Sequence, residues 1–152
     1  MRTTMYTTEI VLMSDATMEI EDFIVKALTE INDSRDKFYN NVSFDLKKYL
    51  ENYHCFTCRK NGKLVGFILA MKGPSAFSNQ TNILISDVLY AVPGTRAAHH
   101  LIHSFLDIGK GCADHVIIAL NVKSNIKPKT LERLGLKETE KLFIWRKENV
   151  RS

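Results

Sequence analysis

The chain has 152 residues, a length that fits one domain with a genuine core and leaves little room for two. Hydrophobic residues make up 45% and charged residues 25%, which excludes the composition of a disordered chain. The formal net charge of +4 favours an anionic ligand, but Lys and Arg are dispersed, so the charge permits nucleic acid without arguing for it.

The longest nearly uncharged stretch, 73–89, is broken by Pro74, Ser75, Ser78, Asn79, Gln80 and Thr81, and falls short of the roughly 20 apolar residues of a membrane span. Glu9, Asp15 and Glu19 interrupt residues 1–20 where a signal peptide would be apolar, so the expected address is the cytoplasm, with no membrane partner. Cys55, Cys58 and Cys112 are too few and too unevenly spaced for a disulfide framework, and reduced thiols are expected.

In chain order, the β-branched and aromatic run from Thr3 to Leu12 predicts a strand, closed by Ser14 and Asp15, which offer a helix N-cap. Ile20, Phe23, Ile24, Ala27, Leu28 and Ile31 recur at helical spacing and predict a helix over about 16–31. A polar loop over 32–41 leads to a second, short helix over 43–50. Two strands, 53–59 and 64–71, are joined by Lys60-Asn61-Gly62-Lys63, where Asn-Gly supplies the positive φ angles of a hairpin turn.

A Gly/Pro/Ser/Asn loop is expected over 73–82, followed by a central strand over 83–92 that ends at Pro93-Gly94. Ala98, Leu101, Ile102, Phe105, Leu106 and Gly109 then form one face of a helix whose other face carries His99, His100, His103 and Asp107. A strand over 116–122, a short helix over 128–134 stopped by Gly135, and a last strand over 141–146 complete the pattern. The order is β-α-α-β-β-β-α-β-α-β: a mixed α/β sheet of about six to seven strands with about four helices, in one domain over 1–152. Residues 83–120 have the length of a βαβ crossover, which makes the two strands parallel neighbours.

The turn from Val92 to Ala98 passes from a buried strand into a helix. Free N–H groups and the positive end of the dipole make such a helix start an anion site. Small residues at Gly94, Ala97 and Ala98 let an anion approach the backbone, and Arg96 adds a fixed charge, although the same composition also serves a purely structural turn. Asp87 interrupts the apolar run 83–92, and a carboxylate there needs a partner or a purpose; a lysine partner or a strand-end position would be the plain reading. Tyr90, three residues on, is expected on the opposite face of the strand.

His99, His103 and Asp107 share a helix face at four-residue steps; without a third strong ligand fixed by sequence this is read as an exposed polar face, and no metal site is assigned. Cys55 and Cys58 have redox-motif spacing but lie three apart on a strand, on opposite sides, so they are read as packing residues.

The element order and the run from Leu89 to Ile102 resemble the GNAT superfamily of acyl-coenzyme A-dependent N-acetyltransferases across nearly the whole chain. Its signature, Q/R-x-x-G-x-G/A, falls on Pro93, Gly94, Thr95, Arg96, Ala97 and Ala98, where only the last position matches strictly. Residues 116–121, Asn125 and the run Leu131-Glu132-Arg133-Leu134-Gly135-Leu136 follow the family's C-terminal plan.

The resemblance implies a GNAT-like fold and an enzyme that transfers an acetyl group from acetyl-CoA, as cosubstrate, to an unidentified amine by direct attack. It implies coenzyme contacts at Leu89, Tyr90, Ala91, Gly94, Thr95, Arg96, Ala97, Ala98, His99 and Asn125, with backbone N–H groups near 89–91 polarising the thioester. Asp87 is the candidate base, and Tyr90 a hydrogen-bond donor or cleft wall. Glu30 and the loop 32–41 lie where the family shapes its acceptor site, and Lys123, Lys127 and Lys129 lie near the coenzyme's 3′-phosphate or form a solvated helix start. Many members carry a tyrosine as general acid where this chain has Leu131. The alternatives are a GNAT-fold binding or structural module without catalysis, and a nucleic-acid-modifying member such as those encoded by phages. Edge-strand pairing leaves a homodimer open.

Overall fold

Asn61 and Gly62 adopt φ angles of 51° and 86°, and they make the tight turn that joins β2 (His54–Lys60) to β3 (Lys63–Ser75). This hairpin is the centre of a computed structural model that describes residues 4–34, 50–75, 78–120, 126–139 and 143. Around it lie β1 (Tyr6–Leu12), α1 (Met18–Ser34), β4 (Ser78–Ala91), α2 (Ala97–Cys112), β5 (His115–Ile118) and α3 (Pro128–Arg133). A 3-10 turn, Met13–Asp15, separates β1 from α1. The sheet runs in chain order from β1 to β5; the first three pairings are antiparallel and β4 pairs with β5 in parallel.

Both faces of the sheet are covered, so β3 reads as a continuous apolar run rather than an alternating one. Phe67 and Leu69 pack with Ile20, Ile24 and Leu28 of α1, while Ile68 and Ala70 pack with Leu101 and Phe105 of α2. Each large side chain fully buried in this way contributes about 1.5–3 kcal/mol relative to exposure. Cys55 falls in the first cluster and Cys58 in the second, as their spacing requires. Where α2 crosses β3, Gly66 permits contact: a Cβ there would stand 2.8 Å from the Tyr90 carbonyl oxygen and 3.1 Å from the Ala97 Cβ.

Several boundaries differ from those expected. The N-cap of α1 is Thr17, whose hydroxyl accepts the Ile20 N–H at 3.4 Å, not Ser14 or Asp15, because those two residues are taken into the 3-10 turn. The loop expected over 73–82 is largely strand, with Gly73 opposite Ile83 and Pro74 opposite Asn82. Pro74 fits because β2 pairs with β3 only as far as Ala70, so this stretch of β3 is an edge that needs no ladder N–H on that side. Five strands and three α-helices lie among the described residues, fewer than expected. The helix expected over 43–50 and the strand expected over 141–146 fall on residues almost all outside them. The strand expected over 116–122 is the shorter β5. Among the described residues no helix is long and apolar enough to cross a membrane.

The departure that matters most for the site is at Asp87. Ser86 pairs with Ala70 and Val88 with Leu69, so Asp87 is an extra residue in β4, a β-bulge. One extra residue inverts the alternation beyond it. Leu84 packs on the α2 side, yet Val88 and Tyr90 pack on the α1 side.

Candidate active site

β4 and β5 run together for only four residues, from Ile83 opposite His115 to Ser86 opposite Ile118. Past that point, among the described residues, β4 continues along β3 alone. Val92 donates its N–H to Val65 of β3 at 2.8 Å, so alternation turns the N–H groups of Ala91 and Leu89 the other way, to the edge that β5 has left. Of the three backbone contacts expected at Leu89, Tyr90 and Ala91, only the outer two face that edge; the Tyr90 backbone faces β3.

β4 leads into the turn at Gly94, whose φ of 82° explains the glycine. Thr95 then stiffens the turn, donating its hydroxyl to the Val92 carbonyl at 2.7 Å and accepting the Ala97 N–H at 3.4 Å. The Arg96 N–H goes to the Tyr6 hydroxyl at 3.0 Å, and Tyr6 also stacks on His100 with centroids 4.5 Å apart. The first intrahelical bond runs from His100 N–H to the Arg96 carbonyl, so the N–H groups of Ala98 and His99 remain for an anion.

A cleft of about 380 Å³ opens here, lined by Thr95, Arg96, Ala98 and His99 on one side and Ile126, Lys127 and Thr130 on the other. It unites four of the predicted coenzyme residues with Lys127, one of the three lysines expected near the 3′-phosphate or at a solvated helix start. Ala97 is fully buried against Gly66, so its side chain serves packing and not the cleft. Asn125 lies outside the described residues. Leu131 is buried with Ile102 and Leu106, where it docks α3 on α2.

Burial, followed by the charges of His103, Arg96 and His100, holds the His99 imidazole below its ordinary value. His100 is lowered by burial and then by Arg96 and His103. The rings of His99 and His103 stand 4.4 Å apart, but among the described residues no three His, Cys, Asp or Glu side chains converge on a common point.

On the α1 face of β4 lie two tyrosine–carboxylate couples. The Tyr53 hydroxyl donates to Asp87 Oδ2 and the Tyr90 hydroxyl to Glu30 Oε2, each at 2.5 Å. Burial, then the carboxylate partner, pushes each phenol up to about 12. Tyr53 and Tyr90 both pack on the α1-side cluster, and Tyr90 stacks on Phe67 with centroids 5.9 Å apart. Asp87 and Tyr90, expected on opposite faces, therefore serve the same one, because the bulge shifts the alternation between them. Asp87 is exposed rather than buried, and among the described residues its partner is a tyrosine and not a lysine. Tyr53 and Tyr6 escaped the sequence reading, since their partners stand 34 and 90 residues away.

Neither a protein-family model nor a curated protein matches the chain. Solved structures do share its fold. A ribosomal-protein-alanine N-acetyltransferase from Brucella melitensis biovar Abortus 2308 superposes with a TM-score of 0.67 at 16% identity, over 93% of this chain and 99% of that one. Glucosamine-6-phosphate N-acetyltransferase from Arabidopsis thaliana gives 0.64 at 12% identity, over 93% and 98%. A transcriptional regulator from Bacillus halodurans C-125 gives 0.69 at 12% identity, over 92% and 99%. The class is thus defined at the level of fold: a GNAT-like α/β domain with a mixed sheet, similar along its length to solved N-acetyltransferases. Because one fold hosts unrelated functions, activity has to be argued from the site.

Proposed function

We propose that this chain is an acetyl-CoA-dependent N-acetyltransferase. One observation carries the reading: the edge of β4 freed by β5 presents the N–H groups of Leu89 and Ala91 between a cationic cleft at Arg96 and Lys127 and the exposed carboxylates of Asp87 and Glu30. These residues fit the donor at one end and a protonated amine at the other.

When bound, acetyl-CoA supplies an acyl group activated as a thioester. Arg96, Lys127 and the N–H groups of Ala98 and His99 hold its phosphates, and the Leu89 and Ala91 N–H groups donate to the carbonyl oxygen on which negative charge develops. Asp87 accepts the proton that the acceptor's ammonium must lose before its nitrogen can attack, and the Tyr53 hydroxyl holds that carboxylate in place. Tyr90 is committed to Glu30, so it shapes the acceptor side. Water is left to protonate the departing thiolate, since Leu131 is core. The acceptor is a cationic amine, since the exposed carboxylates of Asp87 and Glu30 face this side, whereas Glu19, on the same helix as Glu30, is already paired with Arg59.

A second reading, a coenzyme-binding module without catalysis, is favoured by the burial of Leu131 and the engagement of Tyr90. Calorimetric titration of acetyl-CoA into wild type and Arg96→Glu, followed by a screen of amines for thiol release, separates the two. Saturable binding weakened at least about tenfold in the variant, with release for a cationic amine, is the result expected of the enzyme. Binding without release for any amine selects the module, and no binding by the folded wild type overturns both.

A further inference from the structure

Tyr53 and His54 stand at the entry to β2, Ser86 and Asp87 at the bulge of β4, and β3 lies between them. On the α1 face the gap across β3 is closed by the Tyr53 hydroxyl on Asp87. The opposite face presents a matching pair. Register places His54, Ala70 and Ser86 in one row across the three strands. Phe56, Ala70 and Leu84 belong to the α2-side core, so alternation turns His54 and Ser86 to that side as well.

There, Nδ1 of His54 and Oγ of Ser86 are both buried, and neither has a hydrogen-bond partner among the described residues; Ser86 is 0% exposed. Buried polar atoms without a partner are rare, because they forfeit hydration and gain nothing. Two of them in one row are explained by one shared partner. Neighbouring strands lie about 4.8 Å apart, so the two Cα atoms are separated by about 10 Å. Side chains leaning over the Ala70 methyl bring their polar atoms within reach of a single water making two bonds of about 2.8 Å. A residue larger than alanine at 70 would fill that space.

We propose that an ordered water bridges His54 Nδ1 and Ser86 Oγ over Ala70, and that this link and the Tyr53–Asp87 bond pin the β4 bulge from its two faces. His54 and Ser86 then hold the backbone of the bulge that carries Asp87. The water site rests on register and burial alone, so it stands or falls independently of the acetyltransferase reading.

The test is a double-variant cycle of Ser86→Ala and His54→Phe, read as the urea midpoint of unfolding, with amide hydrogen exchange measured at Asp87 and Val88. A shared water predicts that Ser86→Ala lowers the midpoint, that the double variant falls no further than the worse single, and that exchange at the bulge quickens about tenfold while β1 is unchanged. A midpoint raised by Ser86→Ala overturns the proposal, since removing a truly orphaned hydroxyl stabilises. Additive losses or unchanged exchange at the bulge overturn it too. If His54→Phe does not fold, a high-resolution crystal structure decides: a water within hydrogen-bond distance of both atoms supports the proposal, and its absence refutes it.

Discussion

The Tyr53 hydroxyl meets Asp87 Oδ2 at 2.5 Å across an intervening strand, and it does so because Asp87 is the extra residue of a β-bulge. Without that residue the α1-side alternation of Val88 and Tyr90 would be lost. The candidate base, its hydrogen-bond donor and the Tyr90–Glu30 couple therefore depend on one irregularity in β4.

The two phenols make stability fall at alkaline pH. Each ionises near about 12 in the folded chain against about 10 when unfolded, so the contribution is whole below pH 10 and is lost as pH rises from 10 to 12. Urea midpoints measured across that window should fall steeply for wild type and less for the variant carrying both Tyr53→Phe and Tyr90→Phe. Parallel curves would count against the two couples.

Protonation of His99 should affect coenzyme binding and stability in opposite directions. Its folded value is lowered, so it is neutral at pH 7, and folding stability is lost as pH falls below its unfolded value of about 6.5. The same proton adds positive charge to a cleft that already holds Arg96 and Lys127, so affinity for coenzyme A should rise as pH falls. Calorimetry at about pH 7.5 and pH 5.5 should show a gain that His99→Gln reduces.

Gly66→Ala should cost about 1–3 kcal/mol, the usual range for overpacking a filled core. The added methyl meets a backbone oxygen at 2.8 Å and Leu101 Cδ1 at 2.9 Å, and the backbone contact cannot swing aside. Because Ala97 is the third contact, the start of α2 should shift and coenzyme affinity should fall with stability. Denaturation and calorimetry on one preparation test both effects.

Thiol labelling should distinguish the cysteines. Cys55 and Cys58 are fully buried, and burial pushes the Cys55 thiol up to about 12. Burial raises Cys58 as well. Cys112 is only half-buried. With an aromatic disulfide reagent at about pH 8, Cys112 should react first and the other two only on unfolding. Oxidant should form no Cys55–Cys58 bridge, since the two side chains face opposite sides of the sheet.

What the sequence determined by itself is what depends on residues close along the chain. Asn61-Gly62 specifies its turn because few other pairs tolerate two positive φ angles, and the apolar stripe from Leu101 to Gly109 specifies which side of α2 is buried. The turn through Gly94 into α2 was legible for the same reason, and Arg96 and Ala98 of that turn line the cleft. Only the tertiary structure decided the rest. The bulge at Asp87 has no local signal, because it is a mismatch in count between two strands and exists only once β3 and β4 are in register. Pro74 reads as a loop until the missing β2 partner shows it lies on an edge. Tyr6 and Tyr53 join their sites through contacts set by how helices and strands pack, and local periodicity does not encode which distant side chain arrives opposite.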